Sequence, residues 1–354
     1  MPYDPLTVPG TCAKRANRSS GSVSAQWVKE AGGSSTYPRL THLADGSALA
    51  GFTAFNGATH IFTVTRSTDG AKTFSPWSTI AQGTGDLDDV NLRQLANGNI
   101  IAAYRGHDLV NGVYTFYRIT TSISTDDGQT WSFLSQINQR AATTTDNGLW
   151  EPFIRVANSG ALQVYYASEN ADNDQDILMD TSADNGATWA APITVTGATT
   201  TGRDGMPGCT NLNSNANLVT CIFETTEGTA PLFTVKSVVS ENDGVTWGQR
   251  TQVYVPDVSG NNAGAPQITT TTAGTLVASF MTDEDNTAAS TWPAGGSMKI
   301  LTSLGTDPAA WGNKVTVLPI TSEWPGLYAR QDGSGTALGC ADNGGVVCRS
   351  ISFT

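Results

Sequence analysis

The stretch STDDGQTW, residues 124–131, recurs along the chain at nearly constant spacing. Related octets are SADNGATW at 182–189, SENDGVTW at 240–247 and, in a degraded form, STDGAKTF at 67–74. Such regular recurrence predicts a repeat architecture. In STDDGQTW the aspartate after the serine can accept hydrogen bonds from its own turn, the glycine can adopt a positive φ, and the Trp can pack under the strands. Because copies in separate repeats cannot converge on one site, we interpret the octet as a structural turn.

A second repeat runs in phase with the octets and consists of two strand-like segments joined by a short turn. Examples are NLRQLANGNIIAAY at 91–104 and FIRVANSGALQVYY at 153–166, and six such copies fill the chain. Asn-Gly, Ser-Gly and similar dipeptides between β-branched or aromatic segments are strong hairpin signals. Each octet then falls between a third and a fourth strand. Six units of four antiparallel strands predict an all-β protein, a six-bladed β-propeller with one domain over residues 1–354.

The two ends of the chain require separate interpretation. Residues 1–21 lack a clear strand pattern, and we expect them to form an extended N-terminal arm. The segment VSAQWV that follows has strand composition. It could complete the short last blade and close the ring.

Composition restricts the partners of the protein. The net charge of -12 argues against nucleic acids and anionic membrane surfaces as partners, because both are negatively charged. No segment approaches the run of about 18 apolar residues expected of a membrane span. We expect a monomer.

The five cysteines bear on the compartment. Cys209 and Cys221 flank one short segment, and Cys340 and Cys348 flank another, so each pair could face across a hairpin as a disulfide or remain as two buried thiols. Disulfides would favour secretion into the extracellular space.

The octet pattern S-x-D-x-G-x-T-W resembles the Asp-box of sialidase-like and related propeller proteins. The resemblance implies the fold and leaves the activity open, since Asp-boxes occur in enzymes and in non-catalytic propellers. In such propellers the residues facing the central axis come from the start of the first strand and the end of the second strand of each blade. Function must therefore be sought at the flanks of the six hairpins.

Two carboxylates stand out at these flanks. Glu151, in LWEPF, opens the first strand of the third blade, and Glu224, in CIFETTEG, ends the second strand of the fourth. Adjacent blades would bring both to the axis, and a pair of carboxylic acids is what glycoside hydrolysis requires. The alternative for either glutamate is an ion pair with Arg105, Arg203 or Arg330.

The segments NLRQLANGNIIAAYRGHD, GLWEPFIR, RDGMPG and CIFETTEG together resemble the pattern of fungal exo-α-1,5-L-arabinanases of glycoside hydrolase family 93. The resemblance implies a retaining enzyme that releases arabinobiose from the non-reducing end of linear arabinan without a metal or another cofactor. It implies Glu151 as the nucleophile and Glu224 as the general acid/base, with the pair more secure than the division of roles.

Seven further residues at the hairpin flanks are candidates for binding sugar: His107, Asp108, Trp150, Arg203, Asp204, Tyr328 and Arg330. Trp150 could offer a stacking face. Asp108 could instead pair with Arg105, His107 could tie down a loop, and Tyr328 could belong to the core. Segments 81–91 and 283–297 are candidates for closing one end of the cleft.

Two rival functions remain open. In a sialidase, a tyrosine, a glutamate and three arginines act on an anionic sugar; Tyr328, Glu224, Arg39, Arg203 and Arg330 could take those roles. Against it, the first blade carries YPRL where sialidases carry Phe/Tyr-Arg-Ile-Pro. The other rival is a binding propeller without chemistry. Three scattered histidines argue against a metal-dependent lyase, whereas calcium in an acidic loop stays open. The acidic run 283–285 is interpreted as a solvated loop, and its place at the end of a second strand leaves a binding role open.

Overall fold

The computed structural model describes residues 21–29, 34–212, 215–287, 292–304 and 308–353, and all regular secondary structure in them is β. In chain order the strands are β1 (Gly21–Lys29), β2 (Ser35–His42), β3 (Ala48–Asn56), β4 (Thr59–Ser67), β5 (Ser75–Gly83), β6 (Asp86–Gln94), β7 (Ile100–Val110), β8 (Val113–Ser124), β9 (Ser132–Ala141), β10 (Leu149–Val156), β11 (Leu162–Ala171), β12 (Asp174–Ser182), β13 (Ile193–Thr196), β14 (Gly205–Leu212), β15 (Asn215–Thr225), β16 (Thr234–Ser240), β17 (Gly248–Tyr254), β18 (Ala263–Thr270), β19 (Thr275–Thr282), β20 (Ser297–Leu304), β21 (Gly312–Leu318), β22 (Glu323–Ala329), β23 (Ala337–Asp342) and β24 (Val346–Phe353).

The strands form six four-stranded sheets, which are the six predicted blades. Five blades are continuous in sequence: β2 to β5, β6 to β9, β10 to β13, β14 to β17, and β18 to β21. The sixth has the order β1-β24-β23-β22, so the N-terminal strand is its outermost strand and closes the ring, as VSAQWV suggested. The first strands of successive blades pack against one another, and β22 returns to β2. The structure therefore confirms the six-bladed propeller with antiparallel blades.

Apolar side chains fill the spaces between neighbouring blades. Between the second and third blades, for example, Ile101 and Ile119 pack with Ile154 and Val164, all nearly inaccessible to water. Burial of one such side chain contributes about 1.5–3 kcal/mol. This packing makes the ring a rigid frame for residues at its axis.

Every first strand contains a β-bulge close to its start. In each bulge one residue other than glycine has a φ between 48° and 56°; the six are Tyr37, Asp89, Glu151, Met206, Ala265 and Trp324. Proline follows in five of the six blades, which suits a bulge because proline has no N–H to pair. A bulge redirects a side chain, and left-handed backbone at such residues is a strain found most often at functional sites.

The octets form the predicted turns. Asp126 accepts hydrogen bonds from the backbone N–H of Thr130 at 2.9 Å and from its hydroxyl at 2.6 Å. Gly128 has a φ of 80°. The Trp131 indole N–H donates to Ser78 Oγ of the preceding blade at 3.1 Å. The octet therefore shapes its own turn and links two blades.

The octets lie at the opposite end of the blades from the bulges. In the second blade Gln94, at the end of β6, pairs with Ile100, and Ile100 pairs with Ser124, where the octet begins. The bulge at Asp89 lies toward the other end of β6. Side chains carried by the bulges are thus remote from the Asp-box aspartates.

Two disulfides join neighbouring strands. Cys209 bonds to Cys221 and Cys340 to Cys348, each pair with Cα atoms 4.0 Å apart. Cys12 and the predicted arm, apart from Gly21 at its end, lie outside the described residues.

Within the described part, no helix is long and apolar enough to cross a membrane.

Candidate active site

Glu151 and Glu224 converge on Gly205. Glu151 is the bulge residue of β10, and Glu224 lies near the end of β15, where it pairs with Gly205. A Cβ atom placed on Gly205 would lie 3.2 Å from Glu224 Oε1 and 3.5 Å from Glu151 Oε2. The structure therefore brings the two glutamates together from adjacent blades, as expected, while their catalytic roles stay a prediction.

Each glutamate is held by the bulge of the next blade. The Met206 N–H donates to Glu151 Oε2 at 3.1 Å, and the Ala265 N–H donates to Glu224 Oε2 at 2.7 Å. Both donors are bulge residues, and the bulge in β10 also directs Glu151 itself. One bulge therefore orients Glu151, and the bulges of the two following blades supply the N–H groups that hold Glu151 and Glu224.

Burial is the main influence on the protonation of this pair. It raises the pKa of Glu224 to about 7, and the negative charge of Asp89 adds to this effect. Burial also raises the pKa of Glu151, the charge of Glu224 raises it further, and the Arg105 guanidinium opposes both. The loss of water therefore favours the protonated form of each carboxyl group near neutral pH.

Asp89 is a third carboxylate at the axis, and the sequence analysis missed it. Its side chain is 2% exposed and lies 2.9 Å from Arg105 and 3.7 Å from Arg39. Burial raises the pKa of Asp89, against the two arginines. In the sequence, Asp89 cannot be distinguished from the neighbouring Asp86 and Asp88. Asp89 occupies the same position in its blade as Glu151 does in the third blade, and this equivalence could have identified it. The equivalence is difficult to see in the sequence because Val90 follows Asp89 where a proline follows Glu151.

Arg105 is bound by carboxylates of its own blade. Besides the Asp89 contact, its guanidinium donates to Asp86 at 3.3 Å and to Asp88 at 3.4 Å. Asp108 instead pairs with Arg118 at 2.5 Å, and its side chain is 54% exposed. The alternative in which Arg105 pairs with Asp108 was therefore wrong, and Asp108 lies at the surface of its blade.

Trp150 lies beside this cluster and His107 lies behind it. The Arg105 guanidinium is 5.5 Å from the Trp150 ring centroid, and the imidazole of His107 meets the indole edge-on at 5.1 Å. His107 is buried, and its Nδ1 accepts a hydrogen bond from the Arg118 N–H at 3.0 Å. Burial lowers the pKa of His107 to about 3, so the ring is neutral. His107 therefore supports Trp150 rather than offering a group to solvent.

Arg203 and Asp204 are neighbours in sequence with different environments. Arg203 donates to Glu169 Oε1 at 2.6 Å, remains partly exposed, and its charge lowers the pKa of both axial glutamates. Asp204 is fully buried and accepts two hydrogen bonds from Arg250, at 2.7 and 2.9 Å. Arg203 thus stays a candidate for contacting sugar, whereas Asp204 is engaged in a buried ion pair.

Tyr328 and Arg330 lie at the other end of the axis, which does not fit their predicted role. The bulge of the last blade is at Trp324, and four strand residues of about 3.3 Å each carry Tyr328 well away from it. Tyr328 packs in the core with Phe52, and Arg330 donates to the Ala71 carbonyl in the first octet at 3.1 Å. The prediction was wrong because only the start of each first strand lies at the carboxylate site, whereas Tyr328 and Arg330 lie at or beyond the other end of that strand.

The fifth, sixth and first blades supply an apolar wall. Tyr37 and Trp324 stack with ring centroids 4.9 Å apart. A Cβ atom on Gly264 would lie 3.0 Å from Trp292 and would collide with Glu224 Oε2, so the indole borders the carboxylate. Trp292 belongs to segment 283–297, predicted to close the cleft, of which 288–291 lie outside the described residues.

The acidic run 283–285 is not a solvated loop. Glu284 Oε1 lies 2.6 Å from Lys314 Nζ, and Asp285 Oδ2 lies 2.7 Å from Lys299 Nζ. Asp283 is buried and accepts a hydrogen bond from the Asn262 N–H. These carboxylates thus already have cationic or N–H partners.

One group has the donor types of a metal site. His60, Asp86 and Asp88 each offer an atom within 4.8 Å of the others. However, His60 Nδ1 lies 3.0 Å from the Leu87 carbonyl, and both aspartates accept hydrogen bonds from Arg105. A guanidinium on these oxygens opposes a metal cation there.

The arginines proposed for a sialidase do not converge. Arg39 donates to the Pro38 and Pro325 carbonyls beside Asp89. Arg203 is bound to Glu169, and Arg330 lies at the opposite end of the axis. Arg39, Arg203 and Arg330 therefore do not form the clamp that the sialidase alternative required.

Comparison with solved structures finds the same architecture in known propellers. The α-L-arabinanase of Penicillium chrysogenum, complexed with arabinobiose, is 22% identical with a TM-score of 0.69, covering 90% of this chain and 92% of that one. The GH93 α-L-arabinofuranosidase of Fusarium graminearum with arabinobiose is 21% identical with a TM-score of 0.70 over the same shares. The NanB sialidase of Streptococcus pneumoniae is 11% identical with a TM-score of 0.59, covering 92% and 70%. At these identities the likeness establishes the fold.

No curated protein matches the chain. The family model described as a BNR repeat-like domain matches residues 115–298, which is more than half of the chain and includes three of the four octets. The chain therefore belongs to the BNR repeat-like domain family.

Proposed function

We propose that the protein is a retaining, exo-acting glycoside hydrolase that releases arabinobiose from the non-reducing end of linear α-1,5-L-arabinan. The observation that carries the proposal is the pair of half-buried glutamates, Glu151 and Glu224, which face the same glycine and are each fixed by a bulge N–H. Such a pair matches the two carboxyl groups of glycosidase chemistry.

Glu224 is assigned as the general acid. Its pKa of about 7, raised mainly by burial, keeps the carboxyl protonated in the mildly acidic range. It donates this proton to the glycosidic oxygen as the bond to the leaving sugar breaks.

Glu151 is assigned as the nucleophile. Once Glu224 is protonated, the negative charge that most opposes ionisation of Glu151 is gone, and Arg105 favours the carboxylate. The carboxylate attacks C1 of the arabinofuranose and forms a glycosyl-enzyme. Glu224, now ionised, takes a proton from water, which attacks C1 and releases Glu151.

The substrate class rests on the charges of the site and on the relatives. The carboxylate of Glu151 opposes an anionic sugar, and the described arginines nearby are engaged by protein groups. A neutral polysaccharide fits this environment better than a sialoside. Two solved propellers of similar structure contain arabinobiose, which supports arabinan as the substrate.

We further propose that the protein acts as a secreted monomer in the extracellular space. The two disulfides support this location because such bonds persist in oxidising compartments.

Product analysis tests the function. The purified protein is incubated separately with linear arabinan and with a sialoside, and the products are separated by chromatography. We expect arabinobiose as the sole early product from arabinan. Release of sialic acid, or no product from either substrate, would refute the proposal.

Stereochemistry and azide rescue test the mechanism. We expect proton NMR to show that the first product keeps the anomeric configuration of the substrate. With an aryl glycoside that has a good leaving group, azide should rescue Glu224→Ala to give a glycosyl azide of retained configuration and Glu151→Ala to give the inverted one. The opposite pattern would exchange the two roles.

A further inference from the structure

The propeller axis contains a second cavity, on the octet side of the carboxylate site. Its volume is about 230 Å³, and all six first strands contribute to its walls. Arg39 and Gln267 line both this cavity and the small space beside Glu151, and they form the boundary between them. We call this second cavity the axial channel.

The axial channel is basic in an acidic protein. Its charged or ionisable walls include Arg39, His42, Arg93 and Arg155, and no aspartate or glutamate is among the described residues that line it. The whole chain carries a net charge of -12. A channel with this charge attracts anions although the molecule as a whole repels them.

Arg93 is the group in the channel that lacks a counter-charge. Arg155 pairs with Asp243 and donates to Asn211 Oδ1 at 3.1 Å, and Arg39 lies 3.7 Å from Asp89. By contrast, no carboxylate in the described chain lies within ion-pair distance of Arg93. Its pKa is lowered by burial and by the charge of Arg155, with no opposing contribution from an acid. A half-buried cation without an acidic partner favours binding of an anion.

Neutral donors surround this charge. The Asn91 side-chain oxygen accepts a hydrogen bond from the Ile154 N–H at 3.4 Å, which leaves its amide N–H groups to donate. His42 also lines the channel; burial and Arg93 lower its pKa, so the imidazole is neutral yet still has one N–H. Thr210, from the first strand of the fourth blade, also lines the channel with a hydroxyl group. These are the groups that bind oxyanions in proteins.

We propose that the axial channel binds one small oxyanion of the size of phosphate or sulfate, with Arg93 as its charged ligand. The anion offsets the repulsion between Arg93 and Arg155 and connects first strands of several blades. It therefore stabilises the ring, and the proposal does not depend on the reaction at the carboxylate end.

Calorimetric titration of inorganic phosphate, and separately of sulfate, into the whole protein tests the proposal. We expect one site per chain for either ion. Arg93→Gln should weaken the affinity at least about tenfold, because a hydrogen-bonded ion pair is lost, and Arg93→Lys should retain part of it. Arg66→Gln is the matched control: it removes the same charge from a surface pair with Asp45 and should bind as the unmodified protein does.

Thermal unfolding supplies an independent measurement. Phosphate should raise the Tm of the unmodified protein and of Arg66→Gln above the value in sodium chloride of equal ionic strength, and this increment should vanish in Arg93→Gln. Absence of binding by both ions, or an unchanged response in Arg93→Gln, would overturn the proposal.

Discussion

The octet end and the bulge end of the propeller carry carboxylates with opposite properties. At the octet end, hydrogen bonds from the Thr130 hydroxyl and N–H lower the pKa of Asp126 to about 2. At the bulge end, the loss of water around Glu224 raises its pKa to about 7, although the Ala265 N–H donates to this carboxylate. The difference shows that desolvation, rather than the number of hydrogen bonds, decides which carboxyl group can carry a proton at neutral pH.

A natural substitution within the octets supports this distinction. The fourth octet has Asn242 where the second has Asp126. The Asn242 oxygen still accepts from the Thr246 N–H at 2.8 Å, and its amide donates to the Thr246 hydroxyl at 2.8 Å. The turn thus needs the shape of the side chain and not its charge, whereas the proposed chemistry needs carboxyl groups.

The largest effect should come from the axial pair. Glu151→Gln and Glu224→Gln keep the shape of the side chain and remove its acid, so each should lower kcat on arabinan by about 10³-fold or more. Initial rates of arabinobiose release measure this. Asp126→Asn, which copies Asn242, is the matched control and should retain full activity. If the control lost as much activity as the axial variants, the division between the two ends would be wrong.

A methyl group beside the pair should have the next largest effect. In Gly264→Ala the new Cβ collides with Glu224 Oε2 and approaches Trp292 at 3.0 Å, so the carboxylate must move. A displacement of about 1 Å can lower kcat by about 10²-fold. Gly248→Ala is the control because a Cβ atom there meets nothing within 4 Å. Equal activity of the two variants would show that the position of Glu224 is not critical.

Substitution of Asp89 should lower the pKa of the proposed general acid, Glu224. Asp89→Asn removes the negative charge that Asp89 carries once it ionises and that raises the pKa of Glu224, so Glu224 loses its proton at lower pH. The alkaline limb of kcat/KM should therefore move toward acid, with up to about tenfold less activity at pH 8. Arg105 keeps Asp86 and Asp88 as partners, which favours a folded variant. A limb that stays in place, or moves toward alkali, would contradict the coupling.

The smallest effect should be the pH dependence of the free energy of unfolding that Glu224 and Asp126 cause. Glu224 has a pKa of about 7 when folded and about 4.3 when unfolded, so the folded state binds the extra proton between these values and stability falls as pH rises from 5 to 7. Asp126 has a pKa of about 2 when folded and about 3.9 when unfolded, so its contribution is lost as pH falls from 4 to 2. Calorimetric Tm profiles should have opposite slopes in the two ranges.

The same profiles separate the two ends by mutation. Glu224→Gln should flatten the decline of Tm above pH 5, and Asp126→Asn should flatten part of the decline below pH 4. Each variant should leave the other slope unchanged, since the two groups lie at opposite ends of the blades. A change in both slopes from one substitution would indicate coupling that the structure does not predict.

The fold was predictable because its signals are local. The octets and the turns between the first two strands depend on residues a few positions apart, and their spacing revealed the blades. Even the closing strand β1 followed from its composition. Glu151 and Glu224 could be found because position within a repeat predicts proximity to the axis.

The rest of the site depends on backbone detail that composition does not reveal. Asp89 reaches the axis through a bulge, and nothing but its alignment with the other five bulge residues distinguishes it from nearby aspartates. Tyr328 and Arg330 were misplaced because distance from the bulge sets the depth of a residue along the axis. Asp204 was misassigned because its partner, Arg250, lies on the fourth strand of the blade.

Closure of the ring by β1 has a consequence for the order of assembly. The outermost strand of the sixth blade comes from the beginning of the chain, and its partner, β24, comes from the end. During synthesis the first five blades can form in succession, but the N-terminal strand must wait without a partner until β24 has left the ribosome. The last contact made in the circle is thus a contact of the strand that was synthesised first, and the sixth blade is complete only once β24 is present.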